Sequence, residues 1–200
     1  MPFLVIDKLC ANKIYTDDPE IEMLQFETKE EAEYYLQYGF EGKKVEISST
    51  IKVFTDGSCS KNGSINAKAG IGVYFGENDL RNVSRRIEGK QTNNAAELSA
   101  VIEVFTILEE EIKQDKKIII YTDSEYVIKC CTSYGEKCEK NNWKKKNGEI
   151  PNVELVKKAY SLYKQFDNVE LEWIRAHTNK EDELSKGNDG ADRLANLSVE

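Results

Sequence analysis

No stretch of this 200-residue chain comes near the roughly 18 consecutive apolar residues that a membrane span needs. The opening residues, Met1-Pro2-Phe3-Leu4-Val5-Ile6-Asp7, have no basic segment and meet a charge at Asp7, so no secretory leader is expected. Internal repeats and low-complexity tracts are missing, which excludes solenoids and compositionally biased arrays. Cysteines number five (Cys10, Cys59, Cys130, Cys131 and Cys138), an odd count without metal-ligand spacing. That argues against a disulfide framework and for reduced thiols in an intracellular setting. Positive charge is also short: the net charge is −8, which speaks against indiscriminate binding to nucleic acid.

What is present fits a soluble globular chain, 40% hydrophobic and 32% charged. Its length suits one domain of about 150 residues with a short extra module. The charge is uneven. Residues 1–50 hold 11 acids against 5 bases, whereas residues 51–200 hold 25 against 23. Within the second part Lys137, Lys140, Lys144, Lys145 and Lys146 cluster, opposed over that stretch only by Glu139. A local basic patch on a near-neutral domain suits a phosphate-tracking surface, although a lysine run is more often a solvated face.

The pattern reads as α/β. Apolar, β-branched runs at 51–56 and 117–123 predict buried strands, and further strands are expected at 69–76, near 82–88 and at 169–175, where Leu171 and Trp173 share one side. The first three in chain order are joined closely enough to be antiparallel hairpins, with Gly57–Gly63 as the first turn. Helical spacing of Ala95, Leu98, Val101, Ile102, Phe105 and Leu108 predicts a long helix over 94–113. Further helices are expected from Ser124 to Cys131, from Val153 to Phe166, and from Asp189, as a cap, to Leu197. Residues 132–148 are polar, aromatic and lysine-rich, with no element assigned. The order βββαβαβα implies a mixed five-stranded sheet flanked by helices. It occupies residues 49–200, behind a small acidic N-terminal module and linker over 1–48. In that module residues 3–7 predict a strand, and Thr28-Lys29-Glu30-Glu31 predicts the capping box of a helix to Tyr38.

Four carboxylates fall on different elements of this scheme: Asp56, Glu97, Asp123 and Asp192. Asp56 and Asp123 each end a strand that reads as buried. An uncompensated carboxylate entering a core costs several kcal/mol, on the order of a whole domain's margin, so each needs a partner or a cleft. Acids converging on one point make a pocket of hard oxygen ligands suited to Mg²⁺, with Mn²⁺ able to substitute. Two such ions clamp the attacking and leaving oxygens of a phosphoryl displacement. The residues alone therefore point to a metal-dependent nuclease. Each acid also has a plainer reading: Glu97 as a first-turn partner of its helix dipole, and Asp123 as a helix cap. Asp189 competes with Asp192 for the fourth position.

Six ordered motifs then resemble the type 1 ribonuclease H family over about residues 50–198. They are Thr55-Asp56-Gly57-Ser58 with Asn62-Gly63; Gly70-Ile71-Gly72-Val73-Tyr74; Gln91-Thr92-Asn93-Asn94-Ala95-Ala96-Glu97-Leu98; Tyr121-Thr122-Asp123-Ser124; His177; and Gly187-Asn188-Asp189-Gly190-Ala191-Asp192-Arg193-Leu194-Ala195. The resemblance implies a ribonuclease H-like fold and a monomer with no obligate protein partner. It implies two Mg²⁺ ions on Asp56, Glu97, Asp123 and Asp192, cleavage of the RNA strand of an RNA/DNA hybrid, and 5′-phosphate and 3′-hydroxyl products. The family pattern selects Asp192 over Asp189. His177, the only histidine, stands where the family has a mobile histidine that helps move a proton or release product. Here the chain departs from the pattern: Ala176-His177-Thr178-Asn179-Lys180 replaces the usual Gly-His-Ser/Ala-Gly. By the same resemblance Asn62, Asn93 and Asn94 contact the RNA strand, whose 2′-hydroxyls they can both donate to and accept from. Lys90, Thr92 and Asn152 match a pocket for a DNA phosphate, with lysine in place of a common arginine. Tyr134 and Trp143 fall in the DNA-channel protrusion, although the two aromatics also read as a small local core. Cys138 stands where a second tryptophan is frequent.

Residues 25–34 resemble the last strand and helix of the small hybrid-binding module that many eukaryotic relatives carry. The net charge of −6 over residues 1–50 makes phosphate binding physically poor, so the segment reads as a degenerate module or packing appendage. Three rivals remain: a catalytically inactive binding domain on the same fold, a resolvase or integrase core, and a purely structural domain. Intact acids oppose the first. Asn93-Asn94 and the lysine-rich protrusion oppose the second.

Overall fold

The computed structural model describes three short strands in the first fifty residues, then residues 50–176, 178 and 180–200. The chain divides into two compact units, Met1–Ser48 and Ser49–Glu200. In the first unit, β1 (Phe3–Leu4), β2 (Lys13–Tyr15) and β3 (Leu24–Gln25) form an antiparallel sheet in the order β1-β2-β3. The helix expected over 28–38 and the linker over 41–48 lie outside the described residues, as does His177.

The second unit is built on a mixed five-stranded sheet of order β6-β5-β4-β7-β8. Its strands are β4 (Ile51–Ser60), β5 (Lys68–Tyr74), β6 (Val83–Arg86), β7 (Ile118–Thr122) and β8 (Val169–Trp173). The first three pair antiparallel, while β7 lies parallel to both β4 and β8. Period-two alternation sends Val53, Val73, Ile118 and Ile120 to one face and Phe54, Tyr74, Ile119 and Tyr121 to the other. The first face is covered by α1 (Asn93–Ile107), α3 (Glu125–Cys131) and α5 (Val153–Gln165), whose buried side chains join the main core. The second face receives α6 (Glu183–Leu197), with Ala191 against the stacked rings of Phe54 and Tyr121, 5.0 Å apart.

Several boundaries differ from those the sequence predicts. Strand β4 runs on through Ser60, because Gly57–Ser60 stay in register with Lys68–Ile71, so the reversal begins only at Lys61. The long helix breaks at Leu108 into α1 and a short α2 (Glu109–Lys113). Glu97 is the fifth residue of α1, not a first-turn acid, so a dipole role does not account for it. A helix, α4 (Ser133–Lys140), occupies part of the lysine-rich stretch to which the sequence assigns no element, its exposed face carrying a Glu136–Lys140 pair one turn apart. Finally, α6 starts six residues early. Asp182 caps it by accepting from the Ser185 amide at 2.9 Å, so Asp189 lies inside the helix, exposed, and is not a cap.

Candidate active site

The centre of the sheet brings three acids together. Asp56 comes from the middle strand β4, Glu97 from the second turn of α1, and Asp123 from the residue just after β7. One carboxylate oxygen of each lies within 4.8 Å of the others. Asp56 is 7% exposed and Glu97 6%. Close approach of helix and strand makes this possible. Gly57 alternates toward α1, and a Cβ on it would stand 2.3 Å from the Glu97 backbone nitrogen. Only glycine lets α1 sit low enough on β4 for Glu97 to reach the carboxylate of Asp56.

Asp192, on α6, lies outside that trio but borders it. Its charge is one of those that raise the Asp56 carboxyl. Asp192 is held in turn by the Asn196 amide, which donates to its Oδ1 at 3.0 Å, and Ser58 Oγ donates to Asn196 Oδ1 at 2.6 Å. Of the two candidates for the fourth position, Asp192 therefore borders the cluster while Asp189 faces solvent.

Among the described residues no lysine or arginine pairs with any of these four acids. Burial pushes the Asp56 carboxyl up to about 7, aided by the charges of Asp123 and Asp192. Burial likewise holds Glu97 well above the usual carboxylate range, with Asp56 and Asp123 adding to it. Uncompensated repulsion of this kind is released by a cation. Glu97 Oε2 is buried and has no hydrogen-bond partner, as a ligand oxygen awaiting a metal would be. The donor set is all hard oxygen, so the residues fit Mg²⁺ or Mn²⁺.

The other positions singled out in the sequence are spread around this centre. Asn93 donates from Nδ2 to Glu97 Oε1 at 3.3 Å, while Asn94 is exposed beside it. Thr92 caps α1, its hydroxyl accepting from the Ala95 amide at 3.3 Å. Lys90 is exposed, and Asn62 is exposed in the β4–β5 turn. Asn152 precedes α5 with φ of 52°, donates to the Tyr126 hydroxyl at 3.4 Å, and leaves Oδ1 buried without a partner. Tyr134 and Trp143 are half-buried against the main core, Trp143 edge-on to Tyr160 at 6.1 Å. Both thus help form the local core that was the plainer reading, and Cys138 is buried there too. Tyr134, Lys137, Cys138, Asn141, Lys144, Lys145 and Ile150 line a small surface cavity of about 120 Å³.

One residue at the site goes unassigned in the sequence reading. Asn188, 2% exposed on α6, donates from Nδ2 to Asp123 Oδ2 at 3.1 Å. Its signal was available: it precedes Asp192 by four residues, one helical turn, and so shares its face.

A mixed sheet of order β6-β5-β4-β7-β8, its central strand bearing an acid that meets a helix-borne glutamate and an acid at the end of the neighbouring strand, defines the ribonuclease H-like class of fold. The chain belongs to the RNase H family, whose model matches residues 48–200. It is 36% identical over 141 residues to a probable ribonuclease H of Acanthamoeba polyphaga mimivirus, covering 69% of this chain and 61% of that one. It is also 36% identical over 149 residues to a ribonuclease H of Orientia tsutsugamushi (strain Boryong), covering 72% and 79%. Among solved structures, LC9-RNase H1, a type 1 RNase H with the type 2 active-site motif, superposes with a TM-score of 0.52 at 26% identity, covering 75% of this chain and 72% of that one. The chain spans between 50% and 61% of the length of several curated relatives that it matches.

Proposed function

We propose that the chain is an endonuclease that hydrolyses the RNA strand of RNA/DNA hybrids in the presence of a divalent cation, leaving 5′-phosphate and 3′-hydroxyl ends. The observation that carries this reading is the convergence of Asp56, Glu97 and Asp123 within 4.8 Å, unpaired with any lysine or arginine among the described residues, inside the segment matched by the family model. Relatives named ribonuclease H support the substrate class.

Asp56, Glu97 and Asp123 would hold two Mg²⁺ ions, or Mn²⁺ in their place, with Asp192 completing the set. When bound, such ions supply charge stabilisation at the scissile phosphate and lower the pKa of attacking water. The protein's own part is positioning. Neutral amides bond to Glu97, Asp123 and Asp192 and orient these carboxylates without cancelling their charge. Asn62, Asn93 and Asn94 would read the 2′-hydroxyls of the RNA strand, Lys90, Thr92 and Asn152 a DNA phosphate, and Tyr134, Trp143 and the neighbouring lysines the DNA strand. His177 is assigned to proton transfer on sequence grounds, its ordinary pKa near 6.5 suiting the task.

The catalytic domain is assigned to residues 49–200, acting as a monomer inside the cell. Residues 1–48 are read as a degenerate hybrid-binding module or an appendage; if they bind hybrid, their deletion should raise KM for hybrid, and an unchanged KM would rule that out. No helix among the described residues is long and apolar enough to cross a membrane. The deciding experiment offers end-labelled RNA/DNA hybrid, duplex RNA, duplex DNA and single-stranded RNA, each with Mg²⁺ and with EDTA. Metal-dependent cutting of RNA in the hybrid alone is expected. Hybrid binding without cutting would point to an inactive binding domain, and cutting of duplex DNA to another nuclease on this fold.

A further inference from the structure

Three asparagines serve the acidic site, each donating to a different carboxylate: Asn93 to Glu97, Asn196 to Asp192, and Asn188 to Asp123. The first two act within one turn of their own helix. Asn188 alone reaches across the fold, 65 residues from its partner. It gets there because α6 lies directly on the sheet at Gly187, where a Cβ would stand 2.3 Å from the Phe54 ring.

Asp123 is the acid most in need of such support. It follows the last residue of β7, so the strand ladder does not fix its side chain, and it is the least buried of the trio. Its backbone carbonyl is tied down by Trp173 Nε1 at 3.0 Å, which leaves the carboxylate to Asn188. The amide can stand only one way round. Flipped, it would set its oxygen against a carboxylate oxygen at 3.1 Å, two acceptors with no proton between them. That orientation leaves Asn188 Oδ1 buried without a donor, although side chains buried this deeply normally satisfy both ends. A neutral amide held so firmly toward a cluster of acids orients them while leaving their charge for a cation.

We propose that Asn188 is a positioning residue, whose amide holds the Asp123 carboxylate toward Asp56 and Glu97 and so sets the affinity of the trio for a divalent cation. This rests on the metal-dependent reading given above. Groups that orient metal ligands from behind typically contribute 10–100-fold in affinity. The test is Mn²⁺ titration of the full 200-residue protein by calorimetry, comparing the wild type with Asn188→Ala and Asp123→Asn. Expected is a 10–100-fold rise in the Mn²⁺ Kd of Asn188→Ala. Its kcat should recover as Mn²⁺ is raised, with hybrid binding in EDTA and KM for hybrid unchanged. A merely structural residue would not show that rescue by metal. A Kd within about twofold of wild type, while Asp123→Asn loses the metal, would overturn the proposal and spare the metal reading. A wild type that takes up no Mn²⁺ sensitive to Asp123→Asn would overturn both. Should Asn188→Ala not fold, the side-chain amide NMR signal of Asn188 in the wild type decides: it should move on Mg²⁺ addition, and a stationary signal would count against the proposal.

Discussion

The acidic centre and the lysine-rich protrusion of α4 and the loop after it carry opposite charges, and the fold treats them in opposite ways. Asp56 and Glu97 are buried, tightly flanked by backbone, and pushed toward their protonated forms. Lys137, Lys144, Lys145 and Lys146 are exposed, and none forms an ion pair among the described residues. The one acid that the sequence sets against them, Glu139, is drawn away, bonded instead to Lys164 at 2.8 Å and to the Tyr160 hydroxyl at 3.2 Å. Negative charge is thus concentrated, desolvated and costly, whereas positive charge is spread out in water and nearly free of cost. Buried, shape-dependent electrostatics are worth several kcal/mol per group, on the order of ten times a screened surface charge. Substitutions in the two regions should therefore differ in size and in the quantity they change.

The largest effect is expected from Asp123→Asn, which removes a charge from the proposed metal ligands without altering shape. Turnover should fall by roughly three orders of magnitude or more, equivalent to about 4 kcal/mol of transition-state stabilisation, with hybrid binding in EDTA retained. Single-turnover cleavage at saturating enzyme measures this, and a near-normal rate with Mg²⁺ would remove Asp123 from the site.

Next in size is a stability effect of Asp56 itself. Its folded-state pKa of about 7 stands above its ordinary 3.8. The folded protein therefore holds the extra proton between those values. The stabilisation from holding it is complete below about pH 4 and lost as pH rises through about 7. In EDTA, the urea midpoint of the wild type should fall from pH 5 to pH 8 more steeply than that of Asp56→Asn. At pH 8 the variant should be the more stable, by about 2–4 kcal/mol at most. Adding Mg²⁺ at pH 8 should close that gap. Parallel pH profiles for the two proteins would show that the site does not strain the fold.

Gly57→Ala should come third. The added methyl meets backbone, at 2.3 Å from the Glu97 nitrogen, so relief requires α1 to lift from β4. Overpacking of this kind costs about 1–3 kcal/mol, and it should also lower kcat by moving Glu97. Urea denaturation and turnover measured on one preparation check both parts.

Legibility in the sequence followed the same division. Strand-borne Asp56 and Asp123 stand out because a carboxylate closing an apolar run contradicts its surroundings, and the two strands that carry them announce themselves by β-branched runs. Less legible was whatever depends on pairing across the sheet. Gly57-Ser58 reads as a turn, yet bonding to Ile71 and Gly70 keeps it in β4. The start of α6 was hidden because Asp189 reads as its cap, whereas Asp182, seven residues earlier, is the acid that accepts from the Ser185 amide. α4 escaped notice because its apolar residues are few and its stability comes from packing Gly135 and Cys138 inward. Asn188 reads as one polar residue in a polar stretch, since its partner lies 65 residues away.

The smallest effect, and the sharpest test of the contrast, concerns the protrusion. Lys144→Ala and Lys145→Ala each remove a solvated charge bordering the cavity next to Tyr134 and Cys138. Because these lysines hold nothing in place, fold stability should change by less than about 0.5 kcal/mol. If they track a phosphate backbone, each loss should raise KM for hybrid several-fold at low salt and leave kcat untouched. It should also reduce the slope of log affinity against log salt by about 1. The salt slope matters more than the affinity, because a lysine acting through packing would change binding without changing it. Equal slopes for wild type and the double variant would make this patch an ordinary solvated face.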